Sequence, residues 1–105
     1  MTKNLGHLEE SILLMVMIVE EAYGVSVAEA YEQHTKNNIS IPAVHTVLKR
    51  LEVKGMVKSA MGEATPERGG RRKRIFEATP YGYQVIVEIR ENRKRLWSLI
   101  PKLDL

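Results

Sequence analysis

The side chains in this chain whose chemistry is most readily named are basic, and they fall into two groups. Arg68, Arg71, Arg72, Lys73 and Arg74 place five positive charges within seven residues, beside Gly69 and Gly70. Ser40, Pro42, Ala43, His45, Thr46, Lys49 and Arg50 form the second group, with hydroxyls, methyls and an imidazole ahead of two cations. Guanidinium and ammonium groups pair with phosphate oxygens. Hydroxyl, methyl and imidazole groups suit the edges of bases. The chemistry these sets can do is recognition of a polyanion, not the making or breaking of bonds.

Catalysis finds little support. The chain has no cysteine, which excludes disulfides, thiolate metal sites and a Cys nucleophile. His7, His34 and His45 are scattered and form no His-Glu-x-x-His pattern. Gly62 and Gly69-Gly70 lack the spacing and the following helix of a phosphate-binding loop. No enzyme activity, cofactor or metal is expected.

Charge is unevenly distributed. Residues 1–35 hold one Lys and six Glu, and residues 36–105 hold fifteen Lys or Arg and seven acids. The net charge of +3 is therefore built from −5 and +8. A basic portion behind an acidic lead segment suits a polyanion partner on one face. The same charges would also suit a merely solvated surface.

The elements that must hold these groups can be read from periodicity. Leu5, Leu8, Ile12, Met15, Val16 and Val19 recur at steps of three and four. They predict a helix from Leu5 to Ala22, stopped by Tyr23-Gly24. Leu13, Leu14, Met17 and Ile18 make it apolar on further faces, so it is expected to be buried on more than one side. Ser26 and Glu29 have the spacing of a capping box. They open a second helix to about Thr35, with Val27, Ala30, Tyr31 and His34 inward. Lys36-Asn37-Asn38 reads as a turn. Ser40 caps a third helix over Ile41 to Lys54, with Pro42 in its first turn, and Gly55 ends it. Val44, Val47, Leu48 and Leu51 form its buried stripe, which turns Ala43, His45, Thr46, Lys49 and Arg50 outward.

The period then changes. Met56 to Met61 reads as a strand, Gly62 to Gly70 as an exposed loop, and Arg71 to Ala78 as a second strand carrying Phe76 inward. Thr79-Pro80 starts a fourth helix to about Ile100, ended by Pro101. The expected fold is mainly α with a small β-hairpin: a winged helix-turn-helix over residues 1–79 and a C-terminal dimerisation helix over residues 80–105. With 105 residues, 44% hydrophobic and 28% charged, one compact domain is expected. The longest apolar run, Ile12 to Val19, is too short for a membrane span, so no membrane partner and a cytoplasmic location are expected.

At these residues the chain resembles the PadR-like transcriptional regulators. The matching pieces are Leu8-Glu9 through Leu14, Ala22-Tyr23-Gly24-Val25, and Ile41 through Val57. Gly69-Gly70-Arg71-Arg72-Lys73-Arg74-Ile75-Phe76 and Ala78-Thr79-Pro80-Tyr81-Gly82 complete the match, which covers nearly the whole chain. Two positions depart from the usual pattern. His45 stands where family members usually have tyrosine, and Ile75 where a second aromatic is frequent. The single C-terminal helix resembles the compact subgroup.

The resemblance and the residues together imply a homodimeric regulator of transcription, most simply a repressor, that binds double-stranded DNA. Helix 41–54 would lie in the major groove, with Ala43, His45 and Thr46 toward bases and Lys49 and Arg50 toward phosphates. Ser40 would offer its hydroxyl or a helix-terminal N–H to a phosphate. Wing 62–74, with Gly70, Arg71, Arg72, Lys73 and Arg74, would meet the minor groove or the backbone. The strand alternation puts Arg72 and Arg74 on the side of Phe76 and turns Arg71 and Lys73 the other way.

A dimer interface is expected from Leu5, Leu8 and Ile12 of the first helix and Ile86, Ile89, Arg93, Leu96, Trp97 and Ile100 of the last. A two-fold dimer implies a pseudo-palindromic site with half-sites about one turn apart. Trp97 is also the candidate wall of a pocket for a small aromatic effector, as the resemblance suggests. The competing reading is a winged-helix protein–protein interaction module without a DNA role. RNA binding is disfavoured because no aromatic stacking set is visible.

Overall fold

The computed structural model describes residues 5–63 and 72–101. Its described elements run α1 (His7–Ile18), α2 (Gly24–Thr35), α3 (Ile41–Val53), β1 (Val57–Met61), β2 (Arg74–Ala78) and α4 (Pro80–Ser98). That is a mainly helical fold with one antiparallel hairpin, as the periodicities predict. None of these helices is long and apolar enough to cross a membrane.

The first helix is shorter than its apolar pattern. It begins where the Glu9 carboxylate accepts the Gly6 N–H at 3.0 Å, and it ends at Ile18, four residues before Ala22. The reason is a competing backbone partner. Val19 is extended, and the Ala22 carbonyl accepts the Phe76 N–H at 2.8 Å, forming an isolated bridge beside β2. The segment after α1 thus leaves the helix to pair with the hairpin.

Tyr23 and Gly24 therefore open α2 instead of closing α1. Tyr23 is the N-cap, and Ser26 sits inside the first turn rather than capping it. The Ser26 hydroxyl still serves the helix start: it accepts the Tyr23 N–H at 3.0 Å and donates to the Glu21 carbonyl at 2.7 Å. Val27, Ala30 and Tyr31 are buried as expected, whereas His34 faces solvent. The left-handed residue after α2 is Lys36, at φ 64°, not either asparagine.

α3 is the element most faithful to its sequence. The Ser40 hydroxyl accepts the Ala43 N–H at 3.2 Å. Val44, Val47, Leu48 and Leu51 are all buried, each worth about 1.5–3 kcal/mol of apolar burial. The helix stops at Val53, one residue early. Gly55, at φ +78°, donates to Glu52 O, and Met56 N–H reaches Leu51 O at 2.9 Å. This paired closure needs a left-handed residue that glycine adopts freely.

β1 and β2 pair with Val57 opposite Ala78, Ser59 opposite Phe76 and Met61 opposite Arg74. β2 starts at Arg74, so Arg72 and Lys73 precede the strand, while Arg71 lies outside the described residues. The Thr79 hydroxyl accepts the Gly82 N–H at 3.0 Å and donates to Gly55 O at 2.7 Å, which pins the start of α4 to the end of α3. Gly82 lies so close to the Met56 carbonyl that a Cβ there would collide with it. α4 then ends at Ser98, two residues before Ile100.

The core draws Ile12, Leu13 and Val16 from α1, the α3 stripe, Val27 and Tyr31 from α2, Met56, Val57 and Phe76 from the hairpin, and Val85 from α4. Beyond Ile89 every described residue of α4 is exposed, so its second half extends past the core.

Candidate nucleic-acid interface

The buried stripe of α3 decides what that helix presents. Ser40, Pro42, His45, Thr46, Lys49 and Arg50 are exposed, and Ala43 is half-buried. The Ser40 oxygen is engaged by the Ala43 N–H, and the Thr46 hydroxyl donates to the Pro42 carbonyl at 3.1 Å. This leaves the Thr46 methyl for other contacts. Lys49 and Arg50 form no hydrogen bond or ion pair among the described residues. Two unpaired cations thus stand on a helix whose opposite face is locked into the core.

His45 has a more particular setting. A Cβ on Gly24 would stand 2.5 Å from His45 Nε2 and 2.9 Å from its Cε1. The imidazole therefore lies against the first residue of α2, and a side chain there would make the ring move.

The C-terminal end of α3 carries a second anchor. Lys54 Nζ meets Glu9 Oε1 at 2.9 Å, tying α3 to α1. Partial burial pushes the Glu9 pKa up. The hydrogen bonds from Lys54 and the Gly6 N–H, with the charges of Lys54 and Arg50, outweigh that and hold it below 4.5.

The wing differs. Arg68, Gly70 and Arg71 lie outside the described residues. The three basic residues that are described each meet a protein partner. Arg72 Nε donates to Gly62 O at 2.9 Å. Lys73 Nζ is 2.7 Å from Glu21 Oε1 and 3.5 Å from the centre of the Tyr23 ring. Arg74 Nη1 donates to Ser59 Oγ at 3.0 Å, and Ser59 donates to Glu52 Oε2 of α3 at 2.8 Å. The expected alternation holds, since Arg74 joins the row of Phe76 and Ser59 while Lys73 turns to the other face.

The residues expected at a dimer interface are not brought together as one set. Ile12 has no exposed surface and serves only the core of its own chain. Leu5, Ile86 and Ile89 are half-buried against that core, while Leu8, Leu96, Trp97 and Ile100 are exposed. Arg93 is bidentate to Glu10, at 2.8 and 3.1 Å, binding α4 to α1. Beside that pair an open groove of about 750 Å³ is lined by Leu14, Ile86, Trp97, Arg90 and Lys94. Among the described residues no three His, Asp or Glu are grouped to hold a metal ion.

Sequence reasoning missed Glu21, Tyr23, Gly24, Glu52 and Ser59. Each acts on a partner from another element, and none belongs to a periodic pattern that would single it out.

The profile of the PadR-like family of transcriptional regulators matches residues 13–88. An uncharacterised protein of Lysinibacillus sphaericus is 28% identical over 86 residues, spanning 80% of this chain and 75% of that protein. Among solved structures, a transcriptional regulator from Clostridium thermocellum superposes with a TM-score of 0.71 at 22% identity, covering 95% of this chain and 92% of that one. A PadR-like regulator from Bacillus cereus gives 0.70 at 18% identity, covering 87% and 84%. A PadR-like transcription factor from Bacteroides fragilis gives 0.73 at 20% identity over the same shares. At these identities the superpositions establish the winged-helix fold.

Proposed function

This chain belongs to the PadR-like family of transcriptional regulators, DNA-binding proteins rather than enzymes, and from that premise we propose that it is a homodimeric repressor of a pseudo-palindromic operator. α3 enters the major groove. Ala43, His45 and Thr46 face bases, Lys49 and Arg50 meet phosphates, and the basic wing lies on the minor groove or the adjoining backbone. Repression follows from occupancy alone, since a dimer across a promoter blocks it without a further surface.

The observation that carries this reading is the pair Lys49 and Arg50. They are exposed and unpaired among the described residues, on a helix fixed by four buried aliphatic side chains. A cation on a rigid frame that is not tied up in a hydrogen bond or ion pair is ready to displace counterions from phosphate. Dimerisation is supported by the exposed second half of α4 and the residues just after it, where Leu96, Trp97, Leu99 and Ile100 are exposed. The groove at Trp97 has an apolar floor and the cations Arg90 and Lys94 at its edge. It suits a small aromatic effector.

The test is a fluorescence anisotropy titration with a duplex from upstream of the protein's own gene, at two salt concentrations. With about six to ten phosphate contacts, affinity falls roughly a thousandfold or more between about 50 and 200 mM salt. The Lys49→Ala/Arg50→Ala variant loses most of that binding. Absence of binding at low salt to this duplex and to a scrambled one overturns the reading in favour of a protein-interaction module.

A further inference from the structure

Lys73 sits in a run of basic residues, yet its environment is that of an internal ion pair. Its side chain is 14% exposed, against 55% for the Glu21 carboxylate it meets. Its ammonium also lies over the Tyr23 ring, where the face of the π-system attracts a cation. A lysine that binds DNA phosphate must present its ammonium to the duplex. This one has its charge met from two sides by its own chain.

The partners are placed to transmit position. Tyr23 is the N-cap of α2, and Ser26 of the same turn donates to the Glu21 carbonyl at 2.7 Å. Ala22, between them, accepts the Phe76 N–H of β2. On the hairpin side, the Lys73 carbonyl accepts the Gly62 N–H at 2.6 Å, one step beyond the Met61–Arg74 pair at the loop end of the strands. Lys73 therefore joins the start of α2 to the loop end of the hairpin.

We propose that Lys73, held by Glu21 and Tyr23, is a positioning residue for DNA binding that clamps the loop end of the β1–β2 hairpin to the start of α2 and so sets where the hairpin lies relative to α3. The inference rests on the DNA-binding reading above. The clamp itself touches no DNA. Its physical value lies in entropy: a two-stranded hairpin is marginal alone, and fixing the loop end of its strands in the free protein lowers the ordering cost of binding. Arg74, through Ser59 to Glu52, braces the opposite face of the same hairpin against α3.

The sign of one substitution separates a clamp from a phosphate contact. Glu21→Gln removes a negative charge from a protein that binds a polyanion, so electrostatics alone would tighten binding. The clamp requires the reverse. Anisotropy titrations over a salt series, with the upstream duplex and a scrambled one, are expected to show Glu21→Gln and Lys73→Met each weakening binding by about tenfold. The double variant is no worse than either single, because both break one unit. Lys73→Arg retains binding, since a guanidinium can also pair with the carboxylate and stack on the ring. Melting temperatures stay near wild type throughout.

Equal or tighter binding by Glu21→Gln overturns the proposal, as does additivity in the double variant. A loss confined to Lys73→Met, with the salt slope reduced by about one, makes Lys73 a direct phosphate ligand instead. Amide hydrogen exchange at Gly62, measured without DNA, gives an independent readout. It accelerates in both variants while the Leu48 and Leu51 amides do not change, and unchanged exchange at Gly62 also overturns the clamp. If the wild type binds neither duplex, the DNA reading fails, and the Gly62 exchange rates alone decide whether the clamp exists.

Discussion

α3 and the wing are both basic, but different forces hold them. α3 is anchored by Val44, Val47, Leu48 and Leu51, all buried, and leaves Lys49 and Arg50 unpaired among the described residues. The wing is anchored by its own polar side chains: Lys73 on Glu21, Arg72 on Gly62, and Arg74 through Ser59 on Glu52. Apolar anchoring leaves Lys49 and Arg50 without a hydrogen bond or ion pair among the described residues. Polar anchoring spends charges on holding the element, and it is sensitive to salt and to single-atom substitutions in a way that burial is not. A count of basic residues therefore overstates what the wing can offer DNA and describes α3 fairly.

The largest effect should come from attacking the apolar anchor. Leu48→Ala, at a fully buried site, is expected to cost about 2–5 kcal/mol in urea unfolding. A cost near that of a surface substitution would break the contrast between the two elements. The wing's polar brace should respond more mildly. Ser59→Ala removes the link between Arg74 and Glu52 and should cost about 0.5–1.5 kcal/mol. Its DNA affinity should show a greater proportional change than its stability. Equal effects on both would show the brace to be structural only.

Two smaller effects sharpen the picture of α3. Gly24→Ala brings a Cβ to 2.5 Å from His45 Nε2, so the ring must move. Stability should change by no more than about 1 kcal/mol, because the exposed imidazole can rotate away. Base preference, read by selection from a random duplex pool, should shift as it does in His45→Ala. An unchanged preference would place His45 away from bases.

The smallest effect concerns the Lys54–Glu9 ion pair at the foot of α3. Folding lowers the Glu9 pKa below 4.5, so the folded state holds that proton less tightly than the unfolded chain. The wild type should exceed Glu9→Gln in stability by at most about 0.5 kcal/mol above pH 4.5, after solvent screening. That margin should vanish as the pH falls below this value. A margin that persists in acid would show that the carboxylate's charge is not what matters.

Much of the form of α3 was legible in the residues because it depends on near neighbours. The three-four spacing of its stripe, the Ser40 cap, Pro42 in the first turn and Gly55 at the end each act within one or two turns of backbone. The same holds for Thr79-Pro80 at the start of α4. His34 was misjudged because the apolar face of α2 ends at Tyr31, and a single half-polar ring one turn later carries no period of its own. Ile12 was misjudged as a partner contact because an all-round apolar helix does not say which face meets its own core.

The sequence by itself determined that a helix with one apolar stripe and one basic face precedes a basic hairpin, which is enough to name the expected ligand. The tertiary structure alone decided that α1 ends at Ile18, that Gly24 lies beneath His45, and that Lys73 and Arg74 turn to Glu21 and to Ser59 and Glu52. The physical reason is range. Helix periodicity and capping are settled within a few residues. A lysine's choice between solvent, carboxylate and phosphate is settled by groups that approach from about fifty residues away along the chain, and no local pattern records their arrival.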